Sequence, residues 1–270
     1  MGFAALNPSY EWKSTSPPKN KPCPTGQERL LPGNAAGFVT QWRYKVLPLP
    51  IATGGQMTES DVVISAEALT RHEPLTPEDL ELLATPDEEL ASKVSDLCFD
   101  YEQFTSRVFK GDQWQQLLQA HLYFDHVITR MLEEALPNPD AIKLRRTSFS
   151  EKVQLICAMN LLPPSLIPPV KFINGLRNKI AHELNFEISD DAVNNLVNCT
   201  PKRLRQVALE QHGRADGPLS LHEVLHIVLI QIETLRQDHA NQRLLKRKRV
   251  LNARSVLARQ KRSRLRVNKM

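Results

Sequence analysis

Two short segments of the sequence hold residue types that can do chemistry. The first, at 177–182, has the sequence RNKIAH and places Arg177, Asn178 and His182 within one stretch. The second, from His222 to His226, has the sequence HEVLH. On one face of a helix, that spacing lets two imidazoles bind a zinc ion beside a glutamate base. What either segment can do depends on the helix that carries it.

A structural interpretation competes with the zinc interpretation of the second segment. The sequence SLHE at 220–223 is a capping box, in which Ser220 and Glu223 satisfy the free N–H groups at a helix start. In zinc proteases the motif lies inside a helix, not on its first turn. Leu229 stands where their extended pattern has Gly, and no strand is predicted that could hold a peptide. We therefore predict a helix start here and no metal site.

The first segment cannot bring its own polar residues together on one straight helix. Asn178 and His182 are four positions apart and share a face. Arg177 and His182 are five apart, so their directions diverge by about 140°. A break in the helix, or a second copy related by a two-fold axis, would unite them. A structural role also fits, with Arg177 paired to a carboxylate and His182 at a helix C-terminus, where cations are favoured.

A long amphipathic helix predicted at 113–135 adds two polar residues to the apolar side of the bundle. Its apolar face carries His121 and Asp125, one turn apart. Because buried polar groups need partners, two interpretations stay open. Either Asp125 approaches the 177–182 segment and tunes Arg177 or His182, or His121 and Asp125 satisfy each other.

Helical patterns continue over most of the chain from residue 77, and no segment has the strict alternation of a half-buried strand. Thr76-Pro77 and Thr85-Pro86 have the pattern of helix starts. Helices are predicted from 77, from about 87 to 109, and at 113–135, 149–161 and 168–184, with others from 189, from 200 and from 219 to about 260. The predicted class is all-α.

Composition divides the chain into three predicted parts. Residues 1–56 contain Pro, Gly, Ser and Lys without sustained periodicity and are predicted to be a disordered leader. The helical domain is predicted over 57–240, and a basic C-terminal helix or tail over 241–270. We expect Met57, where the composition changes, to be the natural start.

Charge is segregated along the chain. Residues 241–270 contain 12 Lys or Arg and no Asp or Glu, whereas 1–240 contain 23 basic and 30 acidic residues, a net charge of −7. The tail favours non-specific, salt-sensitive binding to phosphate backbones. A solvated helix end and a basic helix on an anionic membrane are the alternatives. The predicted nucleic-acid-binding residues are Lys246, Arg247, Lys248, Arg249, Lys261, Arg262, Arg264 and Arg266.

The location expected for the chain is cytoplasmic. The sequence has no run of about 18 apolar residues, and its first residues lack the basic and apolar regions of a secretory signal. The four cysteines, Cys23, Cys98, Cys157 and Cys199, are far apart. They are predicted to be reduced and mostly buried thiols of a reducing compartment.

The segment SFSEKVQLICAMNLLPPSLIPPVKFINGLRNKIAHEL at 148–184 resembles the signature region of HEPN-superfamily proteins. It contains the superfamily's RxxxxH element as Arg177 and His182. The resemblance extends back through LLQAHLYFDHVITRMLEEAL and forward through FEISDDAVNNLV, so it covers about 100–235. This layout is similar to the mannitol-repressor (MltR-like) branch.

The resemblance implies a helical bundle that dimerises and, in many members, a metal-independent endoribonuclease of toxin or defence systems. By this resemblance Arg177 would neutralise charge on the scissile phosphate. His182 would act as general base or acid, since a histidine titrates near neutral pH. Asn178 would orient the phosphate or His182, and Asp125 and His121 would support the site. The product would be a cyclic phosphate, and no cofactor is expected.

Two hypotheses follow from this resemblance. The first is a dimeric ribonuclease with a composite Arg177 and His182 site, acting on RNA and held in check by an antitoxin protein. The second is a non-catalytic MltR-like regulator of transcription or stress responses, which binds protein or nucleic acid through the bundle and tail.

Overall fold

Every regular element is helical in the computed structural model, which describes residues 75–267 and the side chains of 75–258. This confirms the predicted all-α class for that part of the chain. The predicted leader at 1–56 lies outside the described residues. The α-helices are α1 Pro77–Ala84, α2 Asp87–Lys93, α3 Tyr101–Val108, α4 Gln113–Ala135, α5 Phe149–Ala158, α6 Ile167–His182, α7 Asp190–Cys199, α8 Lys202–Gln211 and α9 Leu221–Val267.

Capping residues set several of the helix starts at the predicted positions. At α1, the Thr76 hydroxyl accepts from the Asp79 N–H, and the Asp79 carboxylate accepts from the Thr76 N–H, both at 3.2 Å. Ser148 and Glu151 make the same reciprocal pair at α5. Each pair satisfies N–H groups that have no partner inside the helix.

The helix predicted from about 87 to 109 is wrong, because residues 94–100 are not helical and separate α2 from α3. In this segment the Cys98 N–H donates to Glu233 Oε1 at 3.0 Å. The Asp96 carbonyl accepts from Arg236 at 3.2 Å. Side chains of α9 thus replace the intrahelical partners of this backbone, and Asp100 then caps α3.

The main core forms around α4 and the first half of α9. Residues 221–237 of α9 are buried at every position except His222, and α3, α4, α7 and α8 pack against this helix. Burying each large apolar side chain contributes about 1.5–3 kcal/mol. The largest fully buried ones are Phe104, Leu117, Phe124, Ile128, Met131, Leu132, Ile156, Leu166, Ile173, Leu196, Leu204 and Leu221.

The second half of α9 is covered by α1 and α2. Leu82 and Leu90 pack with Leu251 in a small cluster apart from the main core. The helix passes without a break through residue 240, where the basic tail was predicted to begin. Within residues 75–267, no helix has both the length and the apolar content that crossing a bilayer requires.

The described cysteines are free thiols, but the prediction that they are mostly buried is wrong. Cys157 is exposed, and Cys98 and Cys199 are half-buried. Cys157 lies in the last turn of α5.

Candidate functional site

The helix that carries the 177–182 segment has no break. α6 runs from Ile167 to His182, and its buried face includes Val170, Ile173 and Leu176. Because the helix is continuous, a distortion that would turn Arg177 and His182 toward one point is excluded. Of the two ways to unite them, only a second copy of the chain is compatible with this helix.

Arg177 and Asn178 line an open groove of about 370 Å³ between α4, α5 and α6. The groove has a mixed lining in which polar side chains predominate. Its other lining residues are His121, Leu122 and Asp125 from α4, Ser148, Phe149 and Ser150 at the start of α5, and Asn174 from α6. The structure therefore brings four of the five predicted site residues to one place. His182 is exposed at the end of α6 and does not line the groove.

His121 forms the floor of the groove. Only 8% of the residue is exposed, its ring lies against Phe149 with centroids 4.5 Å apart, and its Nε2 is 3.2 Å from Asn174 Oδ1. Burial lowers the pKa of His121, and the Arg177 charge adds to this, although the Asn174 bond and Asp125 oppose it. A neutral ring that donates from Nε2 suits this environment.

Asp125 is held by a lysine from the neighbouring helix. Lys152 is 2% exposed, and its Nζ donates to Asp125 Oδ1 at 2.7 Å. His121 and Asp125 therefore bond to different helices and not to each other, so the local pair, one of the two interpretations left open, does not form. Asp125 does approach the 177–182 segment, since it lines the same groove as Arg177.

The guanidinium of Arg177 is held by an amide. Its Nη1 donates to Asn178 Oδ1 at 3.2 Å. No carboxylate of the described residues lies within salt-bridge distance of Arg177. The ion pair with a carboxylate that was considered as a structural role for Arg177 is therefore absent among the described residues. Its guanidinium instead lines an open groove.

Comparison of this chain with models of protein families, with curated proteins and with solved structures gives no match. The chemistry of the groove must therefore be judged from its own residues.

The HEVLH segment has the capping role that the sequence predicts. The Ser220 N–H donates to Glu223 Oε2 at 2.7 Å, and Arg214 donates to the other oxygen. His226 is buried, lies 3.0 Å from the Tyr101 hydroxyl and stacks on Phe104. Residues 75–258 contain no group of three His, Cys, Asp or Glu side chains placed to hold a metal ion.

The predicted nucleic-acid-binding residues divide into engaged and open cations. Arg247 forms a salt bridge with Asp79 of α1 at 2.7 Å, and Lys248 forms one with Asp87 of α2 at 2.6 Å. Both cations therefore already have a carboxylate partner. Lys246 and Arg249 are exposed. Lys261, Arg262, Arg264 and Arg266 lie within α9, beyond the described side chains.

Two residues of the site were not predicted from the sequence: Asn174, which lines the groove, and Lys152, which bonds Asp125. Lys152 has a signal, because it lies on the apolar stripe of α5 with Phe149, Val153 and Ile156, and a buried cation needs a partner. Asn174 is one turn before Arg177 and Asn178, so helical spacing could have placed it on their face.

Proposed function

We propose that the chain is a metal-independent endoribonuclease whose phosphate-binding groove is lined by Arg177. The observation that carries the proposal is a guanidinium without a carboxylate partner among the described residues, facing an open polar groove. A planar cation of this kind suits the oxygens of a phosphodiester. Ser150 lines the same groove at the start of α5, whereas the Ser148 hydroxyl already bonds Glu151.

The reaction that fits these groups needs no nucleophile from the protein. The ribose 2′-oxygen attacks the adjacent phosphorus, the bond from phosphorus to the 5′-oxygen breaks, and a 2′,3′-cyclic phosphate and a 5′-hydroxyl result. A base must accept the 2′-hydroxyl proton and an acid must protonate the 5′-oxygen. Arg177 would neutralise the charge that develops on the phosphoryl oxygens.

The general base or acid in this proposal is His182 of a second copy. Within one chain, α6 points Arg177 and His182 in different directions, and His182 is exposed. A two-fold contact near the end of α6 would bring the exposed imidazole of one copy to the groove of the other. Asn178 was predicted to orient the phosphate or His182; it accepts a hydrogen bond from Arg177 and would hold that guanidinium in place.

The test uses purified protein, labelled RNA of mixed sequence and a chelator that removes divalent metal. We expect cleavage with cyclic-phosphate ends, reduced at least 100-fold by Arg177→Ala and by His182→Ala. Lys179→Ala is the matched control, because it removes an exposed cation from the same helix outside the groove. If the wild-type protein leaves RNA of many different sequences uncleaved, the proposal is wrong.

A second candidate function is a nucleic-acid-binding regulator without catalysis. The observation that favours it is the basic α9, on which Lys246 and Arg249 are exposed. A regulator would bind oligonucleotides in a salt-dependent way and leave RNA intact. Measuring RNA cleavage and RNA binding on the same wild-type sample therefore separates the two functions in one experiment.

A further inference from the structure

We infer that the surface around Trp114 is a subsite that binds an unpaired base of a single-stranded nucleic acid beside the Arg177 groove. The inference rests on the proposed function for the class of its occupant. Trp114 is 46% exposed although it is a large aromatic residue. It lines a depression of about 670 Å³ together with Arg107, Lys110 and Leu118.

A tight turn between α3 and α4 fixes this surface. Gly111 has a φ of +83°, a conformation that favours glycine, and a Cβ at this position would collide with the Gln115 side chain. The Asp112 N–H donates to Gln115 Oε1 at 3.0 Å, and the Gly111 carbonyl accepts from Gln116 at 3.0 Å. The turn thus holds Lys110 and Trp114 on the same depression without help from a ligand.

The charges of the depression suit a phosphate next to a stacked base. Arg107 and Lys110 are both exposed, and no acidic residue lines the depression. Neither cation has a salt bridge to a described residue, the nearest acid along the chain being the helix-capping Asp112. An aromatic face with adjacent cations is the combination that binds single strands without sequence-specific hydrogen bonds.

The depression lies on the same face of α4 as the Arg177 groove. Trp114, Leu118 and Leu122 follow one another at four-residue spacing, and Leu122, 62% exposed, lines the groove with His121. Trp114 and His121 are two turns apart, about 10 Å along the helix. A short single strand can therefore extend from the groove that Arg177 lines to Trp114.

A protein partner is the competing occupant, because Trp and Arg are also common at protein interfaces. A lining that holds Arg107 and Lys110 and no carboxylate favours a nucleic acid. A self-association surface would instead make the oligomeric state depend on Trp114. The test below measures both properties.

The experiment measures binding of a labelled 2′-O-methyl oligoadenylate by fluorescence anisotropy, using the full chain. This probe has no free 2′-hydroxyl, so it cannot be cleaved and its binding does not depend on catalysis. We expect Trp114→Ala to weaken binding about tenfold and Trp114→Phe to retain most of it. Leu80→Ala, which removes another exposed apolar side chain, is the control and should leave the affinity within twofold.

Further measurements distinguish binding at this subsite from binding elsewhere on the protein. Replacing both Arg107 and Lys110 by Gln should lower the salt dependence of binding by about two counterions. An abasic strand of the same length should bind more weakly and should not respond to Trp114→Ala. Sedimentation velocity of the wild type and Trp114→Ala is expected to give the same oligomeric state.

Unchanged affinity of Trp114→Ala for the oligoadenylate overturns the subsite, as does a loss of self-association on that substitution. If the subsite fails while RNA is still cleaved, the proposed ribonuclease function stands. If the 2′-O-methyl strand binds through Trp114 but no RNA is cleaved, the subsite stands and the ribonuclease proposal fails.

Discussion

At the scale of single residues, the ion pair between Lys152 and Asp125 is asymmetric. The Lys152 side chain is 3% exposed and that of Asp125 is 38% exposed. Removing Asp125 leaves a buried ammonium without its partner, whereas removing Lys152 leaves a carboxylate that water can reach. The structure thus predicts that removing Asp125 destabilises the fold more than removing Lys152 does.

We expect Asp125→Ala to lower the free energy of unfolding by about 2–3 kcal/mol and Lys152→Met to lower it by about 1 kcal/mol or less. Urea unfolding followed by circular dichroism measures both. A larger loss for Lys152→Met than for Asp125→Ala would mean that the buried lysine is held by something other than this carboxylate.

His226 makes stability depend on pH. Burial lowers its pKa to about 3 in the folded chain, against about 6.5 when unfolded. Because the folded pKa is the lower one, the unfolded chain binds more protons between these values, and stability falls as pH falls through that window. Above about pH 6.5 the contribution is fully present.

The substitution His226→Gln should reduce the slope of unfolding free energy against pH between about 6 and 4. The expected change is up to about 1.4 kcal/mol per pH unit, which corresponds to one proton. Glutamine retains a polar group for the Tyr101 hydroxyl. Burial also lowers the pKa values of His121 and His222, but both remain in the variant, so parallel curves would contradict the assignment to His226.

At the scale of elements, α1 and α2 are held on α9 by apolar contacts more than by their ion pairs. Leu90 is 4% exposed within the Leu82 and Leu251 cluster. The Asp87 side chain that bonds Lys248 is 63% exposed, and exposed pairs contribute about 0–1 kcal/mol. A Leu→Ala change in a core costs about 2–5 kcal/mol, with smaller values where the site can relax.

We therefore expect Leu90→Ala to speed amide hydrogen exchange over 77–93 at least tenfold, while Asp87→Asn changes it less than threefold. Exchange in α4 should be unaffected by either, because the cluster is separate from the main core. Equal effects of the two substitutions would contradict this, because the Asp87 ion pair would then hold the two helices as strongly as Leu90 does.

The sequence predicted those elements whose ends are marked locally. Thr76, Ser148 and Ser189 cap helices at the predicted starts, because a cap depends on neighbours within three residues. The break at 94–100 could not be predicted in this way. Its backbone partners, Glu233 and Arg236, lie more than 130 positions away, and helical periodicity contains no information on such contacts.

For the candidate site too, the sequence predicts geometry within one helix but not contacts between helices. Helical spacing showed that Arg177 and His182 diverge, and the continuous α6 agrees with that geometry. The partners of His121 and Asp125 could not be deduced, because they belong to α6 and α5, and the packing of three helices decides which side chains meet.

At the scale of the whole molecule, the basic helix presents open and engaged cations that should behave differently. Lys246→Gln and Arg249→Gln should each lower the salt dependence of nucleic-acid binding by about one counterion. Lys248→Gln should have less effect on binding, because the Lys248 ammonium already bonds Asp87 and the Thr85 carbonyl. Anisotropy titrations over a salt series measure this, and equal slopes for all three variants would contradict it.

The composite site makes a prediction that concerns the dimer and not the single chain. In a dimer that pairs Arg177 of one copy with His182 of the other, each single variant has two defective sites. Mixing Arg177→Ala and His182→Ala subunits at random makes half of the dimers mixed, and each mixed dimer has one site with both residues. When subunits exchange freely, the mixture should therefore recover about a quarter of wild-type cleavage.

A site shared between two copies is ruled out if the equilibrated mixture cleaves RNA no faster than the separate variants do. A covalently fused pair of chains carrying one substitution in each half removes the dependence on exchange and should give about half of wild-type cleavage.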